Sequence, residues 1–354
     1  MNRWEFVASV ASVGGLRYLS HPSIPQDDTR VVAHALRQAQ VDETDQDDTF
    51  DPASNAQSQA LRVLLGRGVA QRIDDTTFLF EGRRYRGTFS VLPGGDVVNT
   101  VPLEHYLYSV VSREMPYSWP AAALQVQAIV ARTYVLQRSN PRHAYDLVPS
   151  EADQVYTGVD AEHLQSSAAV DATAGQVLRY GDGFAQALYS SCCGGHTESN
   201  GDAWGGAPLP YLSGVPCTYC SDSPWYAWTK QLSHERMVQA LSTQLQTIGD
   251  LNGIVLDGDD ASGRARFWTF NGTNGSQRVK AADVRRALGT RTLPSLLVRS
   301  VACTQADPSV TIEGGGLGHG VGLCQWGARG MALSGSDARA ILAYYYPGTE
   351  IGND

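Results

Sequence analysis

The order of strand-like and helix-like segments constrains the fold of this chain more than any other feature of its sequence. Short runs with strand character, such as 85–92, precede two helical segments, and further strands and helices, including helices at 234–248, 281–288 and 337–345, then follow one another irregularly. A parallel α/β sheet requires a regular alternation of strands and helices, which this sequence lacks. We therefore predict an α+β fold with a mixed β-sheet core, helices that flank a groove, and an inserted α/β subdomain.

The first part of the chain differs from the rest in charge. Residues 26–51 contain eight acidic and two basic residues, whereas the whole chain of 354 residues has a net charge of −9. The acidic, turn-rich residues 42–55 are typical of a linker. We predict a partly flexible leader and linker at residues 1–56, and one folded domain at 57–354 with the inserted subdomain at about 228–300.

Charge and hydropathy patterning exclude two kinds of partner. The folded part is nearly neutral, which excludes a nucleic acid held by bulk positive charge. No apolar run approaches the roughly 18 residues of a membrane-spanning helix, so we expect no transmembrane segment. Residues 1–13 carry one arginine, one glutamate and a short apolar stretch, which is a poor match to a secretion signal.

The first helical segment carries a carboxyl group on its apolar face. It runs from Pro102 to about Met115, and Glu114 follows the apolar positions of one face, which are Leu103, Leu107, Val110 and Val111. Burial and the negative end of the helix dipole both disfavour ionisation, so we expect both to raise the pKa of Glu114. Such an acid suits protonation of a leaving group. The alternatives are a surface glutamate at a frayed helix end, or one neutralised by Arg113 or Arg132.

The second helical segment, from near Ser118 to about Arg138, carries an arginine within a stripe of mixed character. The stripe consists of Gln125, Ala128, Arg132 and Leu136. One interpretation is that the stripe faces a polar cleft, where Arg132 meets a ligand. The other is that Arg132 pairs with an acid on a neighbouring element, and the pattern alone leaves both open.

Two cysteine-containing pairs have the spacing of metal knuckles. Cys193 and His196 form a C-x-x-H pair, and Cys217 and Cys220 form a C-x-x-C pair. Together they suit a tetrahedral structural zinc site of Cys₃His type, in which Cys192 could replace a ligand of the first pair. One or two disulfides are an equal alternative, and free thiols are a third.

A glycine-rich loop occupies residues 314–327, with seven glycines among fourteen residues. It lacks the lysine and the spacing of a phosphate-binding loop. His319 and Gln325 are its only polar side chains long enough to reach a ligand, and Trp326 could stack on a sugar face. The alternative is a tightly packed turn with a histidine in the core.

An ordered set of motifs resembles the stage II sporulation protein D (SpoIID) family. The motifs cover about residues 60–352, and the first two lie in the segments 101–116 and 123–134, which end in REMP and ARTY. The others are QVYTG at 154–158, SCCGGHT at 191–197, SGR at 262–264, GHGVG at 318–322, QWGA at 325–328 and YYYPGT at 344–349.

This resemblance implies that residues 57–354 are the catalytic domain of a lytic transglycosylase. Such enzymes cleave the MurNAc–GlcNAc bond of peptidoglycan, preferably in peptide-stripped strands, and leave 1,6-anhydro-muramic acid ends. Glu114 matches the catalytic acid, and the other matched positions provide a second catalytic residue and four substrate-binding ones. These are Arg132 for catalysis and Tyr134, Ser191, His319 and Gln325 for binding.

The resemblance also bears on cofactor, location and partners. It implies catalysis without a cofactor, an extracytoplasmic place in the cell envelope, and peptidoglycan glycan strands as the partner, with a cell-wall amidase as a further one. The alternative function is a non-catalytic module that binds peptidoglycan and enhances such an amidase. Some family members bind zinc just before the QVY motif, but residues 146–153 of this chain hold no cysteine or histidine. The knuckles at Cys193 and Cys217 are therefore the candidates for a structural zinc.

Overall fold

The computed structural model describes residues 59–304 and 307–354 and confirms the α+β prediction. The described chain forms two compact units. The first comprises residues 59–186 with Ile351–Asp354, and the second is Ala187–Glu350. The predicted leader at 1–56 lies outside the described residues. No helix of the described ranges is long and apolar enough to span a membrane.

The strands of the first unit form three small sheets. Its strands are β1 (Ala60–Arg67), β2 (Gln71–Arg72), β3 (Thr77–Phe80), β4 (Arg83–Arg86), β5 (Thr88–Val91), β6 (Asp96–Pro102), β7 (Gln176–Tyr180) and β8 (Gly183–Phe184). One antiparallel sheet has the order β1-β6-β5 and another β2-β3-β4, and the third joins β7 to β8 and to the last strand, Glu350–Asn353. The predicted strand at 85–92 is divided, because Gly87 adopts a φ of 90° between β4 and β5.

Prolines set the limits of the two long helices. The helices of this unit are α1 (Leu103–Glu114), α2 (Ala121–Arg138) and α3 (Leu164–Asp171). Pro102 and Pro120 are the N-cap residues of α1 and α2, so α1 begins at Leu103, one position after the start predicted at Pro102. Helix α1 ends because Met115, which precedes Pro116, is forced into an extended conformation.

Helix α2 lies at the centre of the first unit. It packs against α1, α3 and β7, and almost every residue from Ala123 to Leu136 is buried. Its alanine- and valine-rich sequence is apolar on most sides, as expected of a helix that is covered all round. Polar side chains within this stretch therefore need partners inside the protein.

The second unit has its own sheets and helices. They are β9 (Tyr189–Ser190), α4 (Asn200–Trp204), β10 (Trp228–Ser233), α5 (His234–Ala240), β11 (Leu251–Asp257), β12 (Phe267–Gly272), β13 (Gly275–Lys280), α6 (Ala281–Leu288), β14 (Val298–Thr304), β15 (Asp307–Gly314), β16 (Leu323–Cys324), α7 (Gln325–Leu333) and α8 (Ala338–Tyr345). The antiparallel sheets have the orders β10-β15-β14 and β11-β12-β13, whereas β16 pairs with β9 in parallel. The final strand of the chain is β17 (Glu350–Asn353).

A large apolar core fills the part of the second unit between β10 and β15. Trp268 and Phe270 of β12 lie at its centre with Met237 of α5 and Val284 of α6. The subdomain predicted at about 228–300 lies within this unit, and its limits stay a prediction. The predicted helix at 234–248 is shorter than expected and ends at Ala240.

Candidate functional site

Glu114 is the last residue of α1, and its side chain is buried. The residue is 3% exposed, in agreement with its predicted place on the apolar face of the helix. Its Oε1 accepts a hydrogen bond of 3.0 Å from the backbone N–H of Val155. The carboxyl group is thus fixed in one orientation by a loop that crosses the end of α1.

That loop, residues 153–157, is bonded to both long helices. Gln154 accepts a hydrogen bond from the Tyr106 hydroxyl through its Oε1 (3.1 Å) and donates one to the Ala131 carbonyl through its Nε2 (3.3 Å). The N–H of Thr157 donates to the Ser109 hydroxyl at 3.1 Å. These bonds hold the QVYT segment against α1, so the donor to Glu114 does not depend on a mobile loop end.

Arg132 is fully buried in an ion pair. Its guanidinium makes two bonds to the Glu104 carboxylate, at 2.8 Å from Nε and 2.6 Å from Nη2, and another to the Gln176 carbonyl at 3.0 Å. Glu104 lies in the first turn of α1, so the pair links α1 to α2. This geometry matches the ion-pair interpretation of Arg132 that the sequence left open beside the catalytic one.

The Tyr134 side chain contacts the same loop, residues 153–157, that contacts Glu114. Its hydroxyl donates to Oδ1 of Asp153 at 3.2 Å, and Asp153 is also paired with Arg138 at 3.4 Å. The first unit therefore brings two of the predicted site residues, Glu114 and Tyr134, against consecutive parts of one segment. Asp153 and Glu104, which hold the predicted residues in place, were not singled out as their partners from the sequence.

In the second unit, parallel strand pairing places Ser191 beside Gln325. Ser190 of β9 pairs with Cys324 of β16, and the Ser191 carbonyl accepts a bond of 3.0 Å from the N–H of Trp326. Ser191 and Gln325 are both buried, and among the described residues the Ser191 hydroxyl has no hydrogen-bond partner.

The glycine-rich loop needs glycine for close approach of its backbone to other groups. Gly320 has a φ of 87°, and a Cβ there would collide with the Arg264 guanidinium. His319 lies between Gly318 and Gly320, and its Nδ1 accepts a hydrogen bond of 3.0 Å from the N–H of Val321. The proton of the neutral ring is therefore on Nε2. The His319 ring lies 5.2 Å from that of Trp204, centroid to centroid.

A second buried carboxyl group, that of Glu198, lies next to this loop. The backbone N–H of Glu198 donates to the Gly320 carbonyl at 2.9 Å. Oε2 of its side chain is 2.8 Å from the Ser262 hydroxyl and 3.6 Å from Nε of Arg264. Burial raises the pKa of Glu198 to about 7, against the opposing effects of Arg264 and of the Ser262 hydrogen bond.

The Ser262 hydroxyl lies between the carboxyl groups of Glu198 and Asp260. Its hydroxyl has a single hydrogen, yet its oxygen lies 2.8 Å from Glu198 and 2.6 Å from Oδ1 of Asp260. Burial acts to raise the pKa of Asp260, but bonds from Ser262 and from the N–H of Arg264 outweigh it and keep that pKa low. The Ser262 hydroxyl can therefore donate to only one of the two carboxyl groups at a time, that of Glu198 or that of Asp260.

Four cysteines of the second unit form one cluster. The sulfur atoms of Cys193, Cys217, Cys220 and Cys324 all lie within 4.8 Å of one another, and all four residues are buried. His196, the expected fourth ligand, is not in this group, and its Nδ1 lies 2.7 Å from the Thr197 carbonyl oxygen. Cys324, which belongs to neither knuckle, occupies the fourth position.

Two family profiles match this chain. The profile described as stage II sporulation protein (SpoIID) matches residues 93–180, which include α1, α2 and the loop that contacts Glu114. A domain of unknown function, DUF8618, matches residues 217–322 in the second unit.

Full-length relatives are similar over most of the chain. An uncharacterized protein of Brachyspira hyodysenteriae is 34% identical over 281 residues, which are 77% of this chain and 74% of that protein. The stage II sporulation protein D of Bacillus amyloliquefaciens is 31% identical over 274 residues, or 72% and 75% of the two chains. The amidase enhancer of Bacillus subtilis is 29% identical over 291 residues, but only 40% of its length is covered. By the extent of these matches, the chain belongs to the stage II sporulation protein D family.

Proposed function

We propose that this chain is a peptidoglycan lytic transglycosylase in which Glu114 is the single general acid and base. Membership of the SpoIID family supports a role in the bacterial cell wall and an extracytoplasmic location. The specific reaction is inferred from the site. The observation that carries it is the buried carboxyl group of Glu114, held at the end of α1 by the N–H of Val155.

One carboxyl group is sufficient for this reaction because the substrate brings its own nucleophile. Hydrolytic glycosidases generally use two carboxyl groups, one of which activates water or attacks the sugar. Here the C6 hydroxyl of the muramic acid attacks its own anomeric carbon, so that a 1,6-anhydro ring forms as the glycosidic bond breaks. Glu114 gives its proton to the departing glycosidic oxygen and then accepts the proton of the C6 hydroxyl. The intramolecular attack also removes the entropic cost of positioning a water molecule.

The remaining matched residues take different roles in this proposal. Arg132 acts as a positioning residue, because its bonds to Glu104 fix α1 relative to α2 and hence the helix that carries Glu114. Tyr134 steadies the loop of Glu114 through Asp153. In the second unit, Ser191, His319 and Gln325 are the residues that we propose for binding sugars.

Digestion of peptide-free glycan strands tests the proposal. Wild-type protein should release products that end in 1,6-anhydro-muramic acid, as identified by mass spectrometry, and Glu114→Gln should release none. The matched control is Glu81→Gln, which changes an exposed glutamate of the same unit and should cleave like the wild type. Products with reducing ends would instead establish hydrolysis and would refute the transglycosylase reaction.

The similarity to an amidase enhancer favours a second candidate function. In it, the chain binds peptidoglycan without cleaving it and increases the activity of a cell-wall amidase. This function predicts no glycan cleavage by the wild type, stimulation of a purified amidase on whole peptidoglycan, and the same stimulation by Glu114→Gln. Loss of stimulation in that variant, together with glycan cleavage by the wild type, would exclude it.

A further inference from the structure

We propose that Cys193, Cys217, Cys220 and Cys324 bind one zinc ion in a closed tetrahedral site of the second unit. The site lies apart from Glu114 in the chain and does not depend on the proposed reaction. Its role is structural, because four protein ligands leave no position for a water molecule or a substrate.

The distances between the sulfur atoms fit one tetrahedron. Four thiolates at about 2.3 Å from a zinc ion lie about 3.8 Å from one another along the edges of the tetrahedron. Sγ of Cys193 lies 3.7 Å from Sγ of Cys220, and all four sulfurs lie within 4.8 Å of one another. Two disulfides would require sulfurs to be close within each pair only, whereas here every sulfur is close to the other three.

Local backbone structure presents the ligands from three separate segments. Cys217 precedes a single 3₁₀ turn, Thr218–Cys220, and Cys220 is its last residue, which is the geometry of a knuckle. Cys193 is followed by Gly194 and Gly195 with φ values of 78° and 124°, which fold the chain away from the sulfur.

Helix α7 provides the fourth ligand and is shaped to approach the knuckle. Cys324 is the N-cap residue of α7, and Gly327 lies one turn along it. A Cβ at Gly327 would lie 2.7 Å from Sγ of Cys217, so only glycine lets the helix come this close. The helix therefore packs against the knuckle at the position where a side chain would block the cluster.

The groups around the sulfurs suit thiolates. The N–H groups of Cys193 and Gly327 point at Sγ of Cys324, at 3.2 and 3.3 Å. The Tyr345 hydroxyl lies 3.1 Å from Sγ of Cys217. Donors of this kind orient metal-bound thiolates and stabilise their charge.

A buried cation offsets part of the charge that such a site carries. Four thiolates and one Zn²⁺ leave two negative charges in the interior, and a buried charge requires compensation. The Arg264 guanidinium is 2% exposed and donates to the backbone carbonyls of Cys193 (3.0 Å) and His196 (3.1 Å). A buried arginine therefore lies directly behind the first cysteine segment.

Metal analysis of the full-length protein, purified without chelator or reductant, tests the site. We expect one zinc per chain by elemental mass spectrometry, and all six cysteines as titratable thiols after denaturation without reductant. Replacement of zinc by cobalt should give the intense visible bands and the sulfur-to-metal charge-transfer band of a tetrahedral tetrathiolate. The cobalt spectrum requires no variant, so it tests the ligand set even if a ligand variant fails to fold.

Variants separate the four-cysteine set from the alternatives. Cys324→Ser should lose zinc and give a cobalt spectrum of fewer thiolates, whereas His196→Ala and Cys192→Ser should keep one zinc and the wild-type spectrum. Cys303→Ser is the matched control outside the cluster. The absence of zinc combined with fewer than six thiols would establish disulfides and overturn the proposal. Zinc loss in His196→Ala with retention in Cys324→Ser would overturn it too.

Discussion

We expect the stability of the second unit to depend on pH because of Glu198, and replacement of this residue tests that expectation. While Glu198 is protonated, Asp260 carries the only negative charge of the pair, whereas ionisation of Glu198 places a second negative charge beside it in a buried site. Arg264 favours the ionised form but makes no hydrogen bond to it at 3.6 Å. The Glu198→Gln variant keeps the shape of the side chain but cannot ionise, and its amide oxygen can still accept a hydrogen bond from the Ser262 hydroxyl.

The size of the effect follows from the pKa of Glu198. The pKa is raised from 4.5 to about 7, and at about 1.4 kcal/mol per pH unit this amounts to about 3 kcal/mol. Because the folded protein holds the proton more tightly than the unfolded chain, this stabilisation is fully present below pH 4.5 and is lost as the pH rises through about 7. The free energy of unfolding of the wild type should therefore fall over this range relative to that of Glu198→Gln.

Urea denaturation followed by tryptophan fluorescence measures this difference, at pH about 4 and about 8, the two sides of the titration. Glu313→Gln serves as the control, because it replaces an exposed glutamate of the same unit. The difference in unfolding free energy between wild type and Glu198→Gln should change by about 3 kcal/mol between the two pH values, and that between wild type and the control should stay constant. If Glu198→Gln retains the pH dependence of the wild type, a raised pKa of Glu198 is refuted.

Three further predictions concern packing and metal. Arg132→Ala should lower the unfolding free energy by about 3–5 kcal/mol, because it leaves the Glu104 carboxylate without its buried partner. Arg132→Lys should restore only part of this free energy, since lysine cannot make both bonds to Glu104. Full stability of the alanine variant in urea would contradict the ion pair. Gly330→Ala should lower the unfolding free energy by about 1–3 kcal/mol, because a Cβ at this position of α7 would collide with the Tyr219 carbonyl of the turn Thr218–Cys220. Gly183→Ala meets open space and should be neutral, and equal melting temperatures of the two variants would contradict the close packing. Removal of zinc should lower the unfolding free energy by about 4 kcal/mol, compared with protein at a free zinc concentration of 1,000 Kd. An unchanged melting temperature after chelation would contradict a structural site.

The elements that the sequence predicted well are those whose signals are local. Helices α1 and α2 begin after prolines, and α6 and α8 have clear apolar faces, so their limits follow from the chain itself. The prediction at 234–248 failed beyond Ala240, although Leu241, Leu245 and Ile248 are buried with a helix-like spacing. Serine and threonine side chains in that stretch compete for the backbone hydrogen bonds and favour turns. Strand β13 was missed because its residues are mostly polar and exposed.

The cysteine cluster shows what local spacing cannot predict. The knuckles at Cys193 and Cys217 were recognisable because each pair has its own spacing in the sequence. Cys324 lies more than a hundred residues further on, and only the parallel pairing of β16 with β9 brings it to Cys193. His196 has the better sequence spacing, but its backbone pairs with Pro216 and its Nδ1 lies near a carbonyl oxygen. Tertiary pairing therefore decided the fourth member.

Glu114 and Arg132 show why family motifs and structure must be combined to assign roles. Both residues lie in matched motifs on neighbouring helices and both are buried, so neither motif nor burial distinguishes a catalytic group from a structural one. Their partners do, because the guanidinium of Arg132 makes four hydrogen bonds, two to Glu104 and two to backbone carbonyls. A catalytic arginine would have to break such bonds to reach a sugar, at a cost of several kcal/mol for a buried charge. The Glu114 carboxyl group needs only to exchange a proton, and we therefore propose Glu114 for the reaction and Arg132 for the support of its helix.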